Sequence, residues 1–150
     1  MGKKSKKNKP TFGFNPKTEK IPRGLSLADR EQDKTVSWNI AILDKDGPFG
    51  WGSLDLDMFW KHIKLRFAEF EKLTWDEIFQ NRLHHRVQVE NICPEARRRL
   101  CEIELDDYDE LVSLGITNVA RVLGVRNGFK FSVLWWDPQH QVCPSHKKHT

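Results

Sequence analysis

Hydrophobic and polar positions change period along the chain, and each change predicts a different element. The run "VSWNIAIL" at 36–43 is apolar and rich in strand-forming residues, so it predicts a strand that ends at Asp44 and the Asp46-Gly47-Pro48 turn. Further along, apolar residues recur every three or four positions, which predicts one stripe of a long amphipathic helix that faces the core. The stripe comprises Leu56, Phe59, Trp60, Ile63, Phe67 and Phe70.

Short end signals predict two further helices. Thr74 to Glu77 reads "TWDE", which has the capping-box form and predicts a helix from Trp75 to about Arg82. Pro94 suits a first helical turn, and the following "EARRRL" continues it as a third helix. The segment "HHRVQV" between them fits either a short strand or a loop.

The last third of the chain returns to a strand pattern. The runs "ELVSLGI", "NVARVLGVR" and "FKFSVLWWD" predict a meander, in which Asn127-Gly128 joins the last two strands as a hairpin. We therefore predict an α+β fold, in which helices pack on one face of a small antiparallel sheet of about four strands. Trp135 and Trp136 are adjacent in the last strand, so they should face opposite sides, with at most one of them buried in the core.

Charge divides the chain into three parts. Residues 1–34 carry ten Lys and Arg against four Asp and Glu, residues 35–116 carry ten against sixteen, and residues 117–150 carry five against one. We predict a flexible basic arm over 1–34 and a single domain over 35–150, since 150 residues suit one domain. The acidic middle would repel a phosphate backbone, so a nucleic-acid partner should meet the C-terminal third.

Other features restrict the class of protein. No apolar run approaches the roughly 20 residues of a membrane span, and the lysine-rich start lacks the apolar core of a secretory signal. Three cysteines without a CxxC pair indicate a reducing compartment, so we expect a cytoplasmic protein with no membrane partner. The loop "DGPFGWGS" matches neither nucleotide-binding fingerprint and is typical of a tight turn.

A zinc site is an alternative interpretation of the C-terminal tail. His140, Cys143, His146 and His149 fall at every third position, and all are possible ligands. Structural zinc sites usually use two separated ligand pairs around a folded loop, whereas this tail would have to wrap the ion alone. We therefore predict no metal and no cofactor.

Cationic residues of the last third suggest chemistry on RNA. Arg121 and Lys130 belong to neighbouring predicted strands, and His140 follows the last one. An Arg, a Lys and a His gathered at one rim of the sheet could cleave RNA without a metal, by acid–base catalysis and stabilisation of the phosphorane charge. Histidine suits such catalysis because both of its forms are available near neutrality. The same residues also fit a solvated basic face, and their spacing does not separate the two interpretations.

A family resemblance favours the catalytic interpretation. From the third helix onward the chain resembles the RelE/ParE-like toxin superfamily, through the motifs "L-x-S-L" at Leu111–Leu114, "R-V-x-G-x-R-x-G" at Arg121–Gly128, and the final apolar strand at Phe129–Asp137. The resemblance covers residues 36–143. It implies a metal-independent endoribonuclease that cleaves messenger RNA, often on the ribosome, and is blocked by a cognate antitoxin protein.

The resemblance also implies roles for individual residues. Arg121 corresponds to the strand arginine at the scissile phosphate, His140 corresponds to the general acid, and Lys130 and Arg126 correspond to further phosphate contacts. The general base is left open among His84, His85, Asp107, Asp109 and Glu110. We expect Trp136 to stack on a base, and Lys147 and Lys148 of the tail to hold phosphate. The second hypothesis is a non-catalytic module of the same fold that binds RNA or protein.

Overall fold

The computed structural model describes residues 34–144, so most of the predicted basic arm and the tail from 145 onward lie outside the described residues. Five strands form one mixed sheet in the order β1-β5-β4-β3-β2. Their bounds are β1 Ser37–Asn39, β2 His85–Gln88, β3 Glu110–Gly115, β4 Arg121–Asn127 and β5 Lys130–Asp137. The α+β class is confirmed, and the ambiguous segment "HHRVQV" contributes the edge strand β2.

The three predicted helices are present. Helix α1 consists of an α-helical start at Leu56–Met58, a π-helical segment at Phe59–Ile63 and an α-helical end at Lys64–Phe70. Helix α2 is Trp75–Phe79 and helix α3 is Pro94–Glu102, with 3-10 turns at Trp51–Ser53 and Val89–Asn91. Thr74 caps α2 as predicted, because its hydroxyl accepts from the Glu77 N–H at 3.4 Å. Helix α2 ends earlier than predicted, because Asn81 forms a turn in which its side chain accepts from the Leu83 N–H.

Helices cover both faces of the sheet, so the prediction of helices on one face is wrong. One core packs α1 and α2 against the sheet and includes Ile63, Phe70, Trp75, Ile78, Val112, Leu114, Val122, Phe131 and Trp136. The other core packs α3 against the opposite face and includes Phe49, Ala96, Leu100, Leu111, Leu123, Leu134 and Trp135. The sheet is therefore the middle of three layers.

Both tryptophans of the last strand are buried. Trp135 and Trp136 face opposite sides as predicted, but each enters a core of its own and they are only 0% and 3% exposed. A register shift between Leu123 and Gly124 accommodates Leu134 as an extra residue of β5, so that Leu134 and Trp135 both enter the α3 core. The prediction that at most one of the two tryptophans is buried is wrong, because both faces of the sheet are covered.

The first strand is short and parallel to β5, so the sheet is mixed and not purely antiparallel. Its predicted extent to residue 43 is wrong, because the Asn39 side chain accepts from the Ala41 N–H and turns the chain. Beyond that turn, the loop continues along the edge of β5. The Asp44 N–H donates to the Leu134 carbonyl at 3.0 Å, and the Trp136 N–H donates to the Phe49 carbonyl at 3.0 Å.

The predicted β4–β5 hairpin is confirmed, with its turn shifted by one residue. Asn127 pairs with Lys130, which leaves Gly128 and Phe129 as the turn. Gly128 has a φ of 61°, the positive value that a type II′ turn needs at its first loop position. Across residues 34–144, no helix is long and apolar enough to cross a membrane.

Candidate functional site

Four of the candidate residues, His84, His85, Arg121 and His140, lie at one end of the sheet together with Gly115 and Asp137, and we call this region the histidine end. Arg121 begins β4 and pairs with Gly115 at the end of β3 and with Asp137 at the end of β5. His84 and His85 stand at the start of β2, and His140 follows β5. Because β2, β3, β4 and β5 pair in antiparallel fashion, the starts of β2 and β4 lie at the same end of the sheet as the ends of β3 and β5.

Lys130 does not belong to this site. It pairs with Asn127 at the other end of the hairpin, six strand residues from Arg121. At about 3.3 Å per residue this separates Lys130 from Arg121 by about 20 Å. The predicted gathering of Arg121, Lys130 and His140 at one rim is therefore wrong. A hairpin places two residues side by side only when they are equally far from its turn, and Arg121 is much farther from the turn than Lys130. The histidine end retains Arg121 and His140.

Arg121 is buried and holds the loop that precedes it. Its Nη1 donates to the Thr117 and Ala120 carbonyls at 2.9 and 3.0 Å, and its Nη2 donates to the Asn118 carbonyl at 3.1 Å. The Nε atom is buried and has no hydrogen-bond partner among the described residues. Burial lowers the pKa of Arg121, while Asp137 opposes that shift. The guanidinium is therefore occupied by carbonyl groups and contributes a buried positive charge to the site.

Asp137 fixes the turn that carries His140. Its carboxylate is buried and accepts from the Gln141 N–H and the Val142 N–H, both at 2.9 Å. Within this turn His140 has a φ of 56°, in the left-handed region that residues other than glycine rarely adopt. Asp137 precedes His140 and both N–H groups follow it, so these two hydrogen bonds close the turn around the strained position. His140 is thereby presented by a fixed turn at the end of β5.

The charge environment favours the neutral form of His140. Partial burial lowers its pKa, the nearby charges of Arg121 and His85 lower it further, and Asp137 acts in the opposite direction. A histidine with a lowered pKa is unprotonated at neutral pH and is able to accept a proton. The electrostatics thus favour a general base at His140, whereas the resemblance implied a general acid.

His84 is part of the core and not a candidate base. It is 4% exposed, its Nδ1 accepts from the Gly115 N–H at 3.0 Å, and its ring packs edge-on against Phe70 with 5.0 Å between centroids. Desolvation is the main cause that lowers its pKa to about 4, and the charges of Arg66, Arg121 and His85 add to the shift. The accepting Nδ1 places the proton of the neutral ring on Nε2.

His85 is the one candidate base from the sequence that remains near His140. It is exposed at the start of β2 and close enough to His140 for its charge to lower that residue's pKa. The acidic candidates lie toward the opposite end of the sheet, because Glu110 begins β3 and pairs with Gln88. Glu110 also forms an ion pair with Arg86 at 3.4 Å, and Asp107 and Asp109 precede it in the chain. Their position at the opposite end of the sheet excludes Asp107, Asp109 and Glu110 as a general base that acts together with His140.

A surface groove of about 520 Å³ runs beside His140. The start of α3 forms one wall and the turn after β5 forms the other; the lining residues are Phe49, Cys93, Pro94, Glu95, Arg98, His140, Gln141 and Pro144. Arg98 is exposed and adds a positive charge to this groove. The groove is open, so an extended chain could lie along it with one of its groups beside His140.

The remaining predicted contacts are distributed elsewhere. Arg126 lies at the turn end of the hairpin, where its Nε donates to the Gly128 carbonyl and its guanidinium stacks over Trp75 at 5.2 Å. Trp136 is buried, so its predicted stacking on a base is wrong. Lys147 and Lys148, like His146 and His149 of the zinc alternative, lie outside the described residues. Between residues 34 and 144, no three His, Cys, Asp or Glu side chains are placed to hold a metal ion.

Two residues of the site were missed in the sequence. Asp137 was interpreted only as a strand terminator, although an Asp that ends a strand commonly accepts from backbone N–H groups a few residues ahead. Arg98 belongs to the run "ARRRL", where helical spacing alone does not indicate which arginine faces a groove.

No protein-family model matches this sequence, and comparison with curated proteins and with solved structures also gives no match.

Proposed function

We propose that this protein is a metal-independent endoribonuclease of the RelE/ParE-like kind, which cleaves messenger RNA at the histidine end of its sheet. The observation that carries the proposal is His140, a half-buried imidazole with a lowered pKa, held by a fixed turn beside an open groove. The resemblance to the RelE/ParE-like toxins supports the further proposal that a cognate antitoxin protein blocks this cleavage.

In the proposed reaction the two histidines divide the proton transfers. Neutral His140 accepts the proton of the ribose 2′-OH, whose oxygen attacks the adjacent phosphorus. The bond from phosphorus to the 5′-oxygen breaks, and His85 acts as the general acid that donates a proton to that oxygen. The products are a 2′,3′-cyclic phosphate and a free 5′-hydroxyl. The exposed guanidinium of Arg98 stabilises the additional negative charge of the transition state.

Arg121 has a positioning role in this proposal. Both terminal nitrogens of its guanidinium donate to the carbonyls of residues 117, 118 and 120, so they are not available to bind a phosphate. Arg121 therefore acts through the electrostatic effect of its charge on His140 and through the loop that it holds. Replacing it with Met should remove both the positive charge that lowers the pKa of His140 and the loop contacts. The pH optimum should therefore change along with the rate.

The binding-module hypothesis also has an observation in its favour. The guanidinium of Arg86 lies over the Phe79 ring at 4.4 Å and that of Arg126 lies over the Trp75 ring at 5.2 Å, both outside the groove beside His140, where they could retain RNA without chemistry. Such a module would bind RNA in a salt-sensitive manner and leave it intact.

One experiment separates these functions. Labelled RNA is incubated with the wild type, with His140→Gln and with His85→Gln, in the presence of EDTA, and the product ends are analysed. We expect cyclic phosphate ends, with cleavage slowed about 10²- to 10⁴-fold in each variant. His62→Gln is the matched control, because His62 is an exposed histidine on α1.

The other outcomes reject the proposal in distinguishable ways. Cleavage that is lost on addition of EDTA would indicate a metal-dependent nuclease. RNA that is shifted but intact would support the binding module. Equal cleavage by the wild type and both variants would show that the histidine end is not the site.

A further inference from the structure

An exposed apolar stripe runs along the outer side of helix α1. Leu56, Trp60 and Leu65 are 71%, 61% and 53% exposed, although the opposite side of the same helix enters the core through Ile63 and Phe70. The sequence pattern had placed Leu56 and Trp60 on the core side, and that prediction is wrong. Large apolar side chains exposed along one helix face are typical of an interaction surface.

The π-helical segment aligns this stripe. The Lys64 N–H donates to the Phe59 carbonyl five residues before it, so this turn contains one more residue than an α-helical turn. Leu56 and Trp60 are four residues apart on successive turns. Leu65 follows Trp60 by five residues across the wider turn, and therefore lies on the same side of the helix. An uninterrupted α-helix would have rotated Leu65 away.

Charges beside the stripe change from acidic to basic along the helix axis. Asp55 and Asp57 lie at its N-terminal end, and Lys61 and Lys64 lie one and two turns later, all four on the surface. Lys61 pairs with Asp57 at 3.6 Å within the chain, with both side chains at least 70% exposed. A surface with acid at one end and base further along is complementary to its own antiparallel copy.

We propose that α1 is a homodimer interface, in which the α1 helices of two copies pack antiparallel around a two-fold axis near Trp60. This arrangement places Asp55 and Asp57 of each copy beside Lys61 and Lys64 of the other, with the apolar stripe between them. A nucleic acid fits the surface poorly, because its phosphates would meet the acidic turn. The dimer does not depend on the proposed ribonuclease activity.

The first test is the oligomeric state of the full chain by sedimentation velocity, from low to high micromolar concentration. We expect a dimer for the wild type and at least a tenfold weaker association for Trp60→Ser. Val119→Ser is the matched control, because Val119 is a 54% exposed apolar residue in the loop before β4 and does not belong to α1. A wild type that stays monomeric throughout, or equal weakening by both substitutions, would overturn the proposal.

Charge reversal tests the antiparallel arrangement itself. One variant carries Lys61→Glu and Lys64→Glu, so its α1 surface is acidic throughout. A second carries Asp55→Lys and Asp57→Lys, so its surface is basic throughout. Each alone should be monomeric because like charges meet, and a mixture of the two should form a heterodimer. Circular dichroism of each variant verifies that it is folded, and a mixture of folded variants that remains monomeric would rule out this arrangement.

Discussion

Asp44 and Arg99, which are 55 positions apart in the sequence, are joined by two parallel hydrogen bonds. Arg99 Nε donates to Asp44 Oδ2 at 2.9 Å and Arg99 Nη2 donates to Oδ1 at 2.8 Å. The Trp135 indole N–H donates to the same carboxylate at 3.0 Å. One buried carboxylate therefore joins the edge loop, helix α3 and the last strand, and so supports the wall of the groove beside His140.

Asp44→Asn should destabilise the fold, because an amide cannot accept as the carboxylate does from these three donors and from the Gly47 N–H at 3.4 Å. We expect a loss of about 2 kcal/mol in the free energy of unfolding at pH 7, measured by urea denaturation. Hydrogen bonding to Arg99 is the main cause that lowers the pKa of Asp44. Its contribution is thus present above the ordinary value of 3.8 and is lost as the pH falls through the folded-state pKa. The difference between variant and wild type should shrink in acid, and a constant difference would contradict this assignment.

His84 should make stability depend on pH in a higher range. Its pKa of about 4 in the folded protein is below the ordinary 6.5, so the folded state favours the neutral ring. Its contribution is therefore complete above pH 6.5 and decreases as the pH falls from 6.5 toward 4. His84→Asn keeps a hydrogen-bond acceptor without a titrating group and should show a flatter decline in urea midpoint between pH 7 and pH 5.

His140 must be controlled in the same measurement, since its pKa is also lowered. His140→Gln should flatten the decline less than His84→Asn, because His140 is only half-buried. If the midpoint of His84→Asn falls as steeply as that of the wild type, the buried histidine is not the group responsible.

Gly124 should tolerate substitution least among the strand glycines. A Cβ there would collide with the Ser132 carbonyl oxygen and the Phe131 ring, neither of which can move without disturbing the bulged β4–β5 pair. Gly115→Ala collides only with the side chain of half-buried Leu83. We expect Gly124→Ala to cost about 3 kcal/mol and Gly115→Ala clearly less, by urea denaturation. The reverse order would contradict the bulge geometry.

Local signals in the sequence predicted most elements, and long-range pairing explains what they missed. The Thr74 cap, Pro94 at the start of α3 and the glycine turn of the hairpin depend on neighbouring residues, and all are confirmed. The parallel pairing of β1 with β5 joins residues about ninety positions apart, for which periodicity carries no signal. The burial of Trp136 depends on α1 and α2 covering its face, which no pattern within the strand predicts.

The candidate site was predictable in part. The placement of His140 after β5 follows from the apolar strand and the Asp137-Pro138 pair that ends it, so this residue could be predicted from the local sequence. The separation of Lys130 from Arg121 also followed from the hairpin, since residues near a turn pair with each other. His84 and His85 could not be distinguished by sequence, because adjacent strand residues face opposite sides and only the packing of α1 determines which is buried. Tertiary contacts were needed to choose between them.

The three cysteines should differ in their reactivity toward a thiol reagent. Cys101 is exposed on α3, whereas Cys93 and Cys143 are half-buried beside the groove. Burial is the main cause that raises the pKa of Cys143, and Asp137 and Cys93 act in the same direction, so less of its reactive thiolate is present at neutral pH. We expect iodoacetamide to modify Cys101 first and Cys143 last, as followed by peptide mass spectrometry. Cys101→Ser should remove the fast phase, and urea should bring the rates together. Equal rates for Cys101 and Cys143 in the folded protein would show that the turn after Asp137 is not packed as described.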